Sequence, residues 1–475
     1  MYSTIMVVIF VLGYLCIALE HPLKIDKAAS ALLIGVLTWA VFILFGGTDS
    51  HLVGEALNEN LAETAQTLFF LFAAMTIVEI VDRHNGFKII TDRITATSKV
   101  KLLWILSFLT FFMSAVLDNL TTTIVILSLL RKLIKDQHTR WTYASIVVIA
   151  ANAGGAWSPI GDVTTIMLWI GGQITAAKII TGIIIPSLVS MIVPLIILSF
   201  TLKGEIERPE ASEESESITT PGEQLALLIL GVGLLLFVPV FKTITHLPPY
   251  MGMLLGLGVM WMVTELMHKK KSFEIKKKLT VVHILKHVET PTIFFFLGIL
   301  TAVGALGAAG QLGQLSEWLR DVTGGNIYVI DTVIGVLSSI IDNVPLVAAS
   351  MGMYNFSPET VASITEQLTP FIQDGTIPSL FVEPIQHGIF SSEILSYIPE
   401  GVISAEFIPF FQNGLFWHML AYCAGTGGSI LIIGSAAGVA AMGLEKIDFI
   451  WYLKHISWLA LVGYLAGAFC IYLGL

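Results

Sequence analysis

Two Asp-Asn pairs interrupt apolar parts of the chain. Asp118-Asn119 stands in "SAVLDNLTTTIV", and Asp342-Asn343 stands in "SSIIDNVPLVAA". A carboxylate near the centre of a bilayer costs about 2.5–3.5 kcal/mol on insertion scales. Such a group must be protonated, paired with a positive charge or bound to an ion. The chemistry that these pairs predict is reversible binding of a cation or a proton.

A second kind of polar cluster follows in "ANAGGAWSPIGDVTTIM", residues 151–167. Its glycines and proline are expected to unwind a membrane helix, which is tolerated only where the backbone is buried in protein or lines a wet cavity. The gap then collects five oxygen-bearing side chains, those of Asn152, Ser158, Asp162, Thr164 and Thr165. The counterpart "CAGTGGSILIIGSAAG", residues 423–438, offers Thr426, Ser429 and Ser435 but no carboxylate.

The chemical types of these residues favour a cation as the transported species. Hard cations bind carboxylate, carbonyl and hydroxyl oxygens, whereas an anionic substrate is expected to need Arg or Lys. No Arg or Lys lies in the sequence at either Asp-Asn pair or in either glycine-rich segment. The sequence therefore predicts a Na⁺ site at Asp118 and Asp162.

Structural interpretations of the same residues remain open. Asp118, Asp162 and Asp342 could each cap the helix that follows a break, and the hydroxyls of Thr121, Thr164 and Thr165 could bond only within their own helices. Two further candidates for relaying ions, Glu63 and Glu289, each precede a Thr at the start of an apolar span, a position that suits a helix N-terminus.

The elements that position these residues are membrane helices. The chain of 475 residues is 55% hydrophobic and only 13% charged, whereas soluble domains are about 25% charged. We predict an all-α polytopic membrane protein whose first span is retained rather than cleaved. The predicted spans are 4–19, 28–46, 64–81, a long region 101–130, 143–171, 176–202, 225–241, 248–267, 291–309, a long region 326–353, 414–442 and 455–474.

Positive charge predicts the orientation of the spans. The region 101–130 has basic flanks on both sides, so it should enter and leave from the cytoplasm as a re-entrant hairpin. Residues 355–413 contain no Lys or Arg, so 326–353 should dip in from outside. With both termini outside, every Lys and Arg is then cytoplasmic except Lys178, Lys242 and Arg320.

The two halves of the chain also resemble each other. "TLFFLFA" at 67–73 matches "TIFFFLG" at 292–298. The number of residues between these two segments is close to the number between the two Asp-Asn pairs. Because the halves start on opposite sides, this predicts inverted repeats. The first repeat is 1–202, a cytoplasmic acidic linker is 203–224, and the second repeat is 225–475 with an extracytoplasmic insertion at 355–413.

Three motifs together carry a family resemblance. "SAVLDNLTTTIVIL", "ANAGGAWSPIGDVTTIMLW" and "SSIIDNVPLVAAS" resemble the NhaD family of sodium/proton antiporters, within the ion transporter superfamily. The resemblance implies a homodimer in the cell inner (cytoplasmic) membrane, with a transport domain moving elevator-fashion in each protomer. It also implies cation and proton handling by Asp118, Asn152, Asp162, Thr164 and Thr165, with Glu63 as a further candidate.

One departure from that family pattern shapes the expected site. Ser435 replaces an acid at the position aligned with Asp162, which argues against two equivalent ion sites in each protomer. We expect one principal site near Asp118 and Asp162, closed by Asp342-Asn343. The transported species would be Na⁺ or Li⁺ and H⁺, without a cofactor.

Other functions remain open. The chain could be a sodium-coupled carrier of a dicarboxylate or another small anion, with Asn119, Asn343 and backbone amides holding the carboxylates. It could also export an oxyanion with an ATPase partner. No basic face interleaves with aromatic residues, so a nucleic-acid partner is not expected. GxSxG, HExxH and CxxC motifs are absent, so the sequence does not predict an enzyme.

Overall fold

The computed structural model describes residues 2–18, 23–91, 93–94, 96–207, 219–340 and 342–474. Within these ranges the regular structure is helical and no β-strand occurs, as the sequence predicts. Among the described residues, seven helices are long and apolar enough to cross a membrane, or eight if the bent pair near the C-terminus is one span. The protein is therefore a polytopic membrane protein.

In the first half the helices are α1 (Tyr2–Ala18), α2 (Lys27–Phe45), α3 (Ser50–Arg83), α4 (Lys88–Thr91), α5 (Lys99–Leu117), α6 (Asn119–Leu133), α7 (Gln137–Ala156), α8 (Val163–Ile170) and α9 (Ala176–Thr201). The next helices are α10 (Pro221–Thr245), α11 (Pro249–Met267), α12 (Phe273–Leu279), α13 (Val281–Ile284), α14 (Thr290–Ala308), α15 (Gln311–Thr323), α16 (Ile327–Leu337) and α17 (Asn343–Met353). The last are α18 (Pro358–Gln373), α19 (Val382–Gln386), α20 (Leu415–Gly427), α21 (Ala436–Glu445), α22 (Phe449–His455) and α23 (Ser457–Tyr472).

Helix α3 is much longer than the predicted span 64–81. Its 34 residues begin after Asp49, whose carboxylate accepts a hydrogen bond from the His51 N–H and caps the helix. At 1.5 Å per residue the helix is about 50 Å long, which exceeds a hydrocarbon core of about 30 Å. The expectation that Glu63 lies at a helix N-terminus is therefore wrong, because Glu63 lies in the interior of α3. Glu289, by contrast, directly precedes the first residue of α14.

Four breaks divide the polar segments. The region 101–130 is α5 and α6, which meet at Asp118, and the region 326–353 is α16 and α17, separated by residues 338–342. Helices α7 and α8 are separated by residues 157–162, and α20 and α21 by 428–435. Each polar cluster of the sequence therefore lies where a helix ends and another begins.

The same close contacts occur in both halves. A Cβ added to Gly154 of α7 would overlap the backbone of Phe111, and one added to Gly427 of α20 would overlap the backbone of Gly335. The Ser114 hydroxyl donates to the carbonyl of Ala151 at 2.6 Å, and the Ser338 hydroxyl donates to that of Ala424 at 2.8 Å. The broken helices thus pack backbone to backbone, which places their gaps against one another.

The segment between α17 and α20 has a small apolar core of its own, formed by residues such as Ile364, Phe390 and Phe411. It contacts the α8–α9 connection, where Asn413 accepts a hydrogen bond from the Thr175 N–H at 2.7 Å. Helix α15, which lies between predicted spans, packs against α17. Of the predicted linker 203–224, residues 208–218 lie outside the described residues, and α10 already begins at Pro221.

Candidate cation and proton site

Asp162 lies at the centre of the polar cluster and is 1% exposed. It ends the first glycine-rich break and caps α8, because its Oδ1 accepts a hydrogen bond from the Thr164 N–H at 3.1 Å. Two amide groups donate to its Oδ2, Asn119 Nδ2 at 3.0 Å and Asn343 Nδ2 at 3.3 Å. The asparagines of both Asp-Asn pairs therefore converge on one carboxylate.

Asn152 joins the two halves of the cluster. Its fully buried amide donates to Ser429 Oγ at 2.9 Å and to Ser435 Oγ at 2.8 Å, and its Oδ1 accepts from Asn119 Nδ2 at 3.1 Å. Ser435 also caps α21, as Asp162 caps α8. The predicted ligands Ser429 and Ser435 thus lie in the same buried network as Asn119 and Asn152.

Asp118 is held at the first break by Thr121, whose backbone N–H donates to Oδ1 at 2.8 Å and whose hydroxyl donates to Oδ2 at 2.9 Å. Its backbone has φ 73° and ψ 161°, a conformation that is essentially restricted to glycine and costs about 1–3 kcal/mol elsewhere. Asp118 is close enough to Asp162 for electrostatic interaction. The break therefore holds a second carboxylate near the first, in a strained conformation.

The remaining hydroxyl candidates divide into two groups. Thr164 is fully buried beside Asp162, and its hydroxyl makes no hydrogen bond to the described residues. Thr165, Ser158 and Thr426 instead donate to backbone carbonyls, those of Asp162, Ala115 and Tyr422. Thr165, Ser158 and Thr426 therefore stabilise the broken backbone through their hydroxyl protons, and all four hydroxyl oxygens keep lone pairs.

Asp342 faces a different environment from Asn343 beside it. It caps α17 through the Val344 N–H at 3.3 Å, and its Oδ2 lies 3.6 Å from Lys27 Nζ of α2. Its charge still reaches Asp162 electrostatically. No basic residue is near this position in sequence, but the fold places one there.

The two glutamate candidates lie apart from the hydrogen bonds of Asp162 and line separate cavities. Glu63 lines a cavity of 480 Å³ with Thr67, the end of α8 and the end of α17. Glu289 lines a cavity of 150 Å³ with Lys27, Leu120 and Ala436. The first cavity borders the later part of α14 and the second borders its start, so the two cavities lie toward opposite ends of that helix.

Three charged residues of this region were not predicted as functional. Lys27 pairs with Asp342. Asp331 of α16 is fully buried, and its carboxylate makes no hydrogen bond to the described residues. Glu445 at the end of α21 is 3% exposed and binds Arg131 at 2.7 Å and Arg140 at 3.0 Å. The sequence gives a signal for Asp331, a carboxylate inside an apolar run, but gives none for the ion pairs of Lys27 and Glu445.

Comparison with known proteins adds an independent line of evidence. Residues 7–367 match the model of the CitMHS family, described as citrate transporter. "Sodium/proton antiporter 1" of Arabidopsis thaliana is 44% identical over 97% of this chain and 71% of its own length. "Sodium/proton antiporter 2" of the same plant is 41% identical over 97% of both chains. "Na(+)/H(+) antiporter NhaD" of Vibrio cholerae is 28% identical over 97% of this chain and 89% of its own length.

Proposed function

We propose that this chain, which belongs to the CitMHS family and to the NhaD family of sodium/proton antiporters, exchanges Na⁺ or Li⁺ for H⁺ at Asp162 and Asp118. It is a transporter and not an enzyme. The observation that carries the proposed site is the convergence of two amides, from Asn119 and Asn343, on the buried carboxylate of Asp162.

That convergence favours a cation over an anion at the site. An anionic substrate would need these amide hydrogens for its own oxygens, but they already bond to a carboxylate of the chain. The oxygens of Asp162, Thr164 and Asn152 are ligands of the kind that hard cations prefer. A sodium ion at Asp162 would therefore find oxygen ligands and a compensating negative charge.

Exchange follows if the proton and the cation compete for the same carboxylates. An empty, charged Asp162 is costly to carry through a low-dielectric interior, so it crosses the membrane either protonated or cation-bound. Binding of one ion then expels the other. Asp118 adds a second carboxylate within electrostatic reach, and Asn119, Asn152 and Asn343 keep the charged form of Asp162 hydrogen-bonded.

The architecture in which this occurs is part of the proposal. The repeated contacts of Gly154 and Gly427, and of Ser114 and Ser338, support two structural repeats. The distribution of Lys and Arg in the sequence supports their inversion, with hairpins 101–130 and 326–353 entering from opposite sides. The resemblance to NhaD supports a homodimer with elevator-type movement. The cell inner membrane, with both chain termini outside, is the proposed location.

The test uses inside-out vesicles that hold an imposed pH gradient and a pH-sensitive dye. Addition of NaCl or LiCl should release protons over the neutral to alkaline range, and KCl should not. Vesicles that contain the Asp162→Asn variant at equal abundance are the control. Proton movement that occurs equally with all three salts, or with none, would contradict the proposed exchange.

The description of the family as citrate transporter keeps one alternative in view, a sodium-coupled carrier of a small anion. The same vesicles distinguish it. A carrier would move radiolabelled citrate or succinate in a Na⁺-dependent manner and would require the anion for any ion movement. An antiporter would move protons when Na⁺ is added without citrate or succinate.

A further inference from the structure

We infer that Lys27 is a tethered counter-ion of Asp342. At the second Asp-Asn pair this lysine takes the place that a transported ion takes at the first pair. This inference rests on the proposed exchange at Asp118 and Asp162. It assigns to Lys27 a positioning role that makes the two pairs chemically different, so that each protomer has one exchangeable carboxylate cluster.

The ion pair is partly buried and its lysine is well held. Lys27 Nζ lies 3.6 Å from Asp342 Oδ2, and the two side chains are 22% and 16% exposed. The same ammonium lies 4.5 Å from the ring centroid of the buried Phe295 on α14, a distance at which a cation is attracted to the face of the ring. Charge and aromatic ring together fix the ammonium beside the break between α16 and α17.

Asp118 has different surroundings at the equivalent point of the first half. Its carboxylate accepts hydrogen bonds from the backbone and the hydroxyl of Thr121. Among the described residues it forms no ion pair with Lys or Arg, and its nearby charge is the negative one of Asp162. Asp118 must therefore be protonated or obtain its positive partner from a bound ion, whereas Asp342 has a positive partner supplied by the chain.

The position of Lys27 links the pair to both breaks. It lines the 150 Å³ cavity together with Leu120, which follows the first Asp-Asn pair, and Ala436, which follows Ser435. Asp26 and Glu289 also line this cavity, so the lysine lies among carboxylates. A lysine carries a compact charge on a flexible stem, and it can remain with Asp342 while ions exchange at Asp162.

The consequence is that neutralising Lys27 should convert Asp342 into an uncompensated carboxylate near the site. Removal of one partner from a buried ion pair leaves the other charge unpaired, which costs more than removal of both partners. The two residues should therefore be interdependent, and a double-mutant cycle measures that interdependence directly.

The experiment measures Na⁺-dependent proton release at one fixed pH for Lys27→Met, Asp342→Asn and the double variant. Each single variant should raise the half-activating Na⁺ concentration or lower the rate by about tenfold, equal to roughly 1.4 kcal/mol. The double variant should return to within about threefold of the wild type, as should Lys27→Arg, which keeps the charge. Lys24→Met removes an exposed charge from the same segment and should have no effect.

Two outcomes would overturn the inference. A double variant as impaired as Asp342→Asn alone would make Asp342 a ligand in its own right, and an unimpaired Lys27→Met would remove any role for the lysine. Thermal unfolding in detergent of the wild type, the two single variants and the double variant distinguishes failure of this inference from failure of the proposed exchange. It should show the same non-additive pattern even if the transported species is not Na⁺.

Discussion

At the first Asp-Asn pair, Asp118 is bonded to Thr121 and interacts with the charge of Asp162, whereas at the second pair Asp342 faces the ammonium of Lys27. The asparagines behave alike, since Asn119 and Asn343 both donate to Asp162. The two identical dipeptides are therefore alike in the contacts of their asparagines and differ in the surroundings of their aspartates. The difference is that the chain places a lysine beside one carboxylate and leaves the other without an ion pair among the described residues, and under the proposed mechanism only the second carboxylate exchanges ions.

The glycine-rich breaks repeat this contrast. Asp162 caps α8 with a carboxylate, and Ser435 caps α21 with a hydroxyl that accepts a hydrogen bond from Asn152. The first half thus supplies the two carboxylates of the proposed site that have no ion pair, and the second half supplies neutral donors and acceptors beside Asp342, which is paired with Lys27. This arrangement suits one cation in each protomer.

The largest expected difference in exchange activity is between variants of the two helix caps, Asp162 and Ser435. Asp162→Asn should reduce exchange by roughly 100-fold or more, because the amide loses the charge–cation interaction, worth about 3 kcal/mol, and cannot take up a proton. Asp118→Asn should have a similar effect. Ser435→Ala should cost less than about tenfold, since it removes one neutral hydrogen bond. The dye assay in vesicles measures all three.

Membrane abundance and the exposed-acid variant Asp321→Asn serve as controls for these three substitutions. Full activity of Asp162→Asn would place the proposed site elsewhere. A Ser435→Ala variant as inactive as Asp162→Asn would show that the two halves are equivalent, and the contrast between them would fail.

A pH effect on stability should come from outside both hairpins. His84 and His268 stack just beyond the ends of α3 and α11, with their Nε2 atoms 3.0 Å apart, and His84 Nδ1 donates to the carbonyl of Ile80 at 2.6 Å. Burial lowers the pKa of His84 from 6.5 to about 4, and burial also lowers the pKa of His268. The unfolded chain therefore binds more protons than the folded chain between these pH values.

The free energy of unfolding should accordingly be unaffected by His84 above pH 6.5 and fall as the pH decreases toward about 4, by up to roughly 3 kcal/mol. The melting temperature in detergent measures this. His84→Phe should flatten that slope, while the exposed His387→Asn should leave it unchanged. An unchanged slope in His84→Phe would show that the fall in stability at low pH does not come from His84.

A smaller effect tests how the first hairpin is anchored. Glu445 joins α21 to Arg131 of α6 and Arg140 of α7, and Arg131 also donates to the carbonyl of Leu444. Glu445→Ala should lower stability by about 2 kcal/mol, less than the 3–5 kcal/mol typical of fully buried pairs, because the half-exposed Arg131 can be rehydrated. Thermal unfolding measures the loss, and the exposed Glu400→Ala is the control.

The smallest expected effect compares the two amides. Asn119→Ala should raise the half-activating Na⁺ concentration about tenfold, since Asn119 donates to both Asp162 and Asn152. Asn343→Ala should raise it less, about fivefold, since its bonds to Asp162 are longer, at 3.3 and 3.5 Å. Opposite ranking, or no effect of either variant, would contradict the proposed role of the converging amides.

Several features of the molecule could be predicted from local sequence. Asp118, Asp162 and Asp342 are conspicuous because a carboxylate in an apolar run is costly, and each lies where a helix begins. Two of the four breaks, at 157–162 and 428–435, lie in glycine-rich segments, where glycine lowers the propensity for helix. The long extension of α3 was missed, because the polar stretch after Asp49 has the composition of a loop and not of a membrane span.

The sequence by itself determined that the protein is helical, lies in a membrane and carries carboxylates at broken helices, since these depend on neighbouring residues and their periodicity. Only the tertiary structure decided which polar groups meet. The convergence of Asn119 and Asn343 on Asp162, and the pairing of Lys27 with Asp342, join residues far apart in the chain. Their physical basis is the packing of four broken helices around one point, which no local pattern encodes.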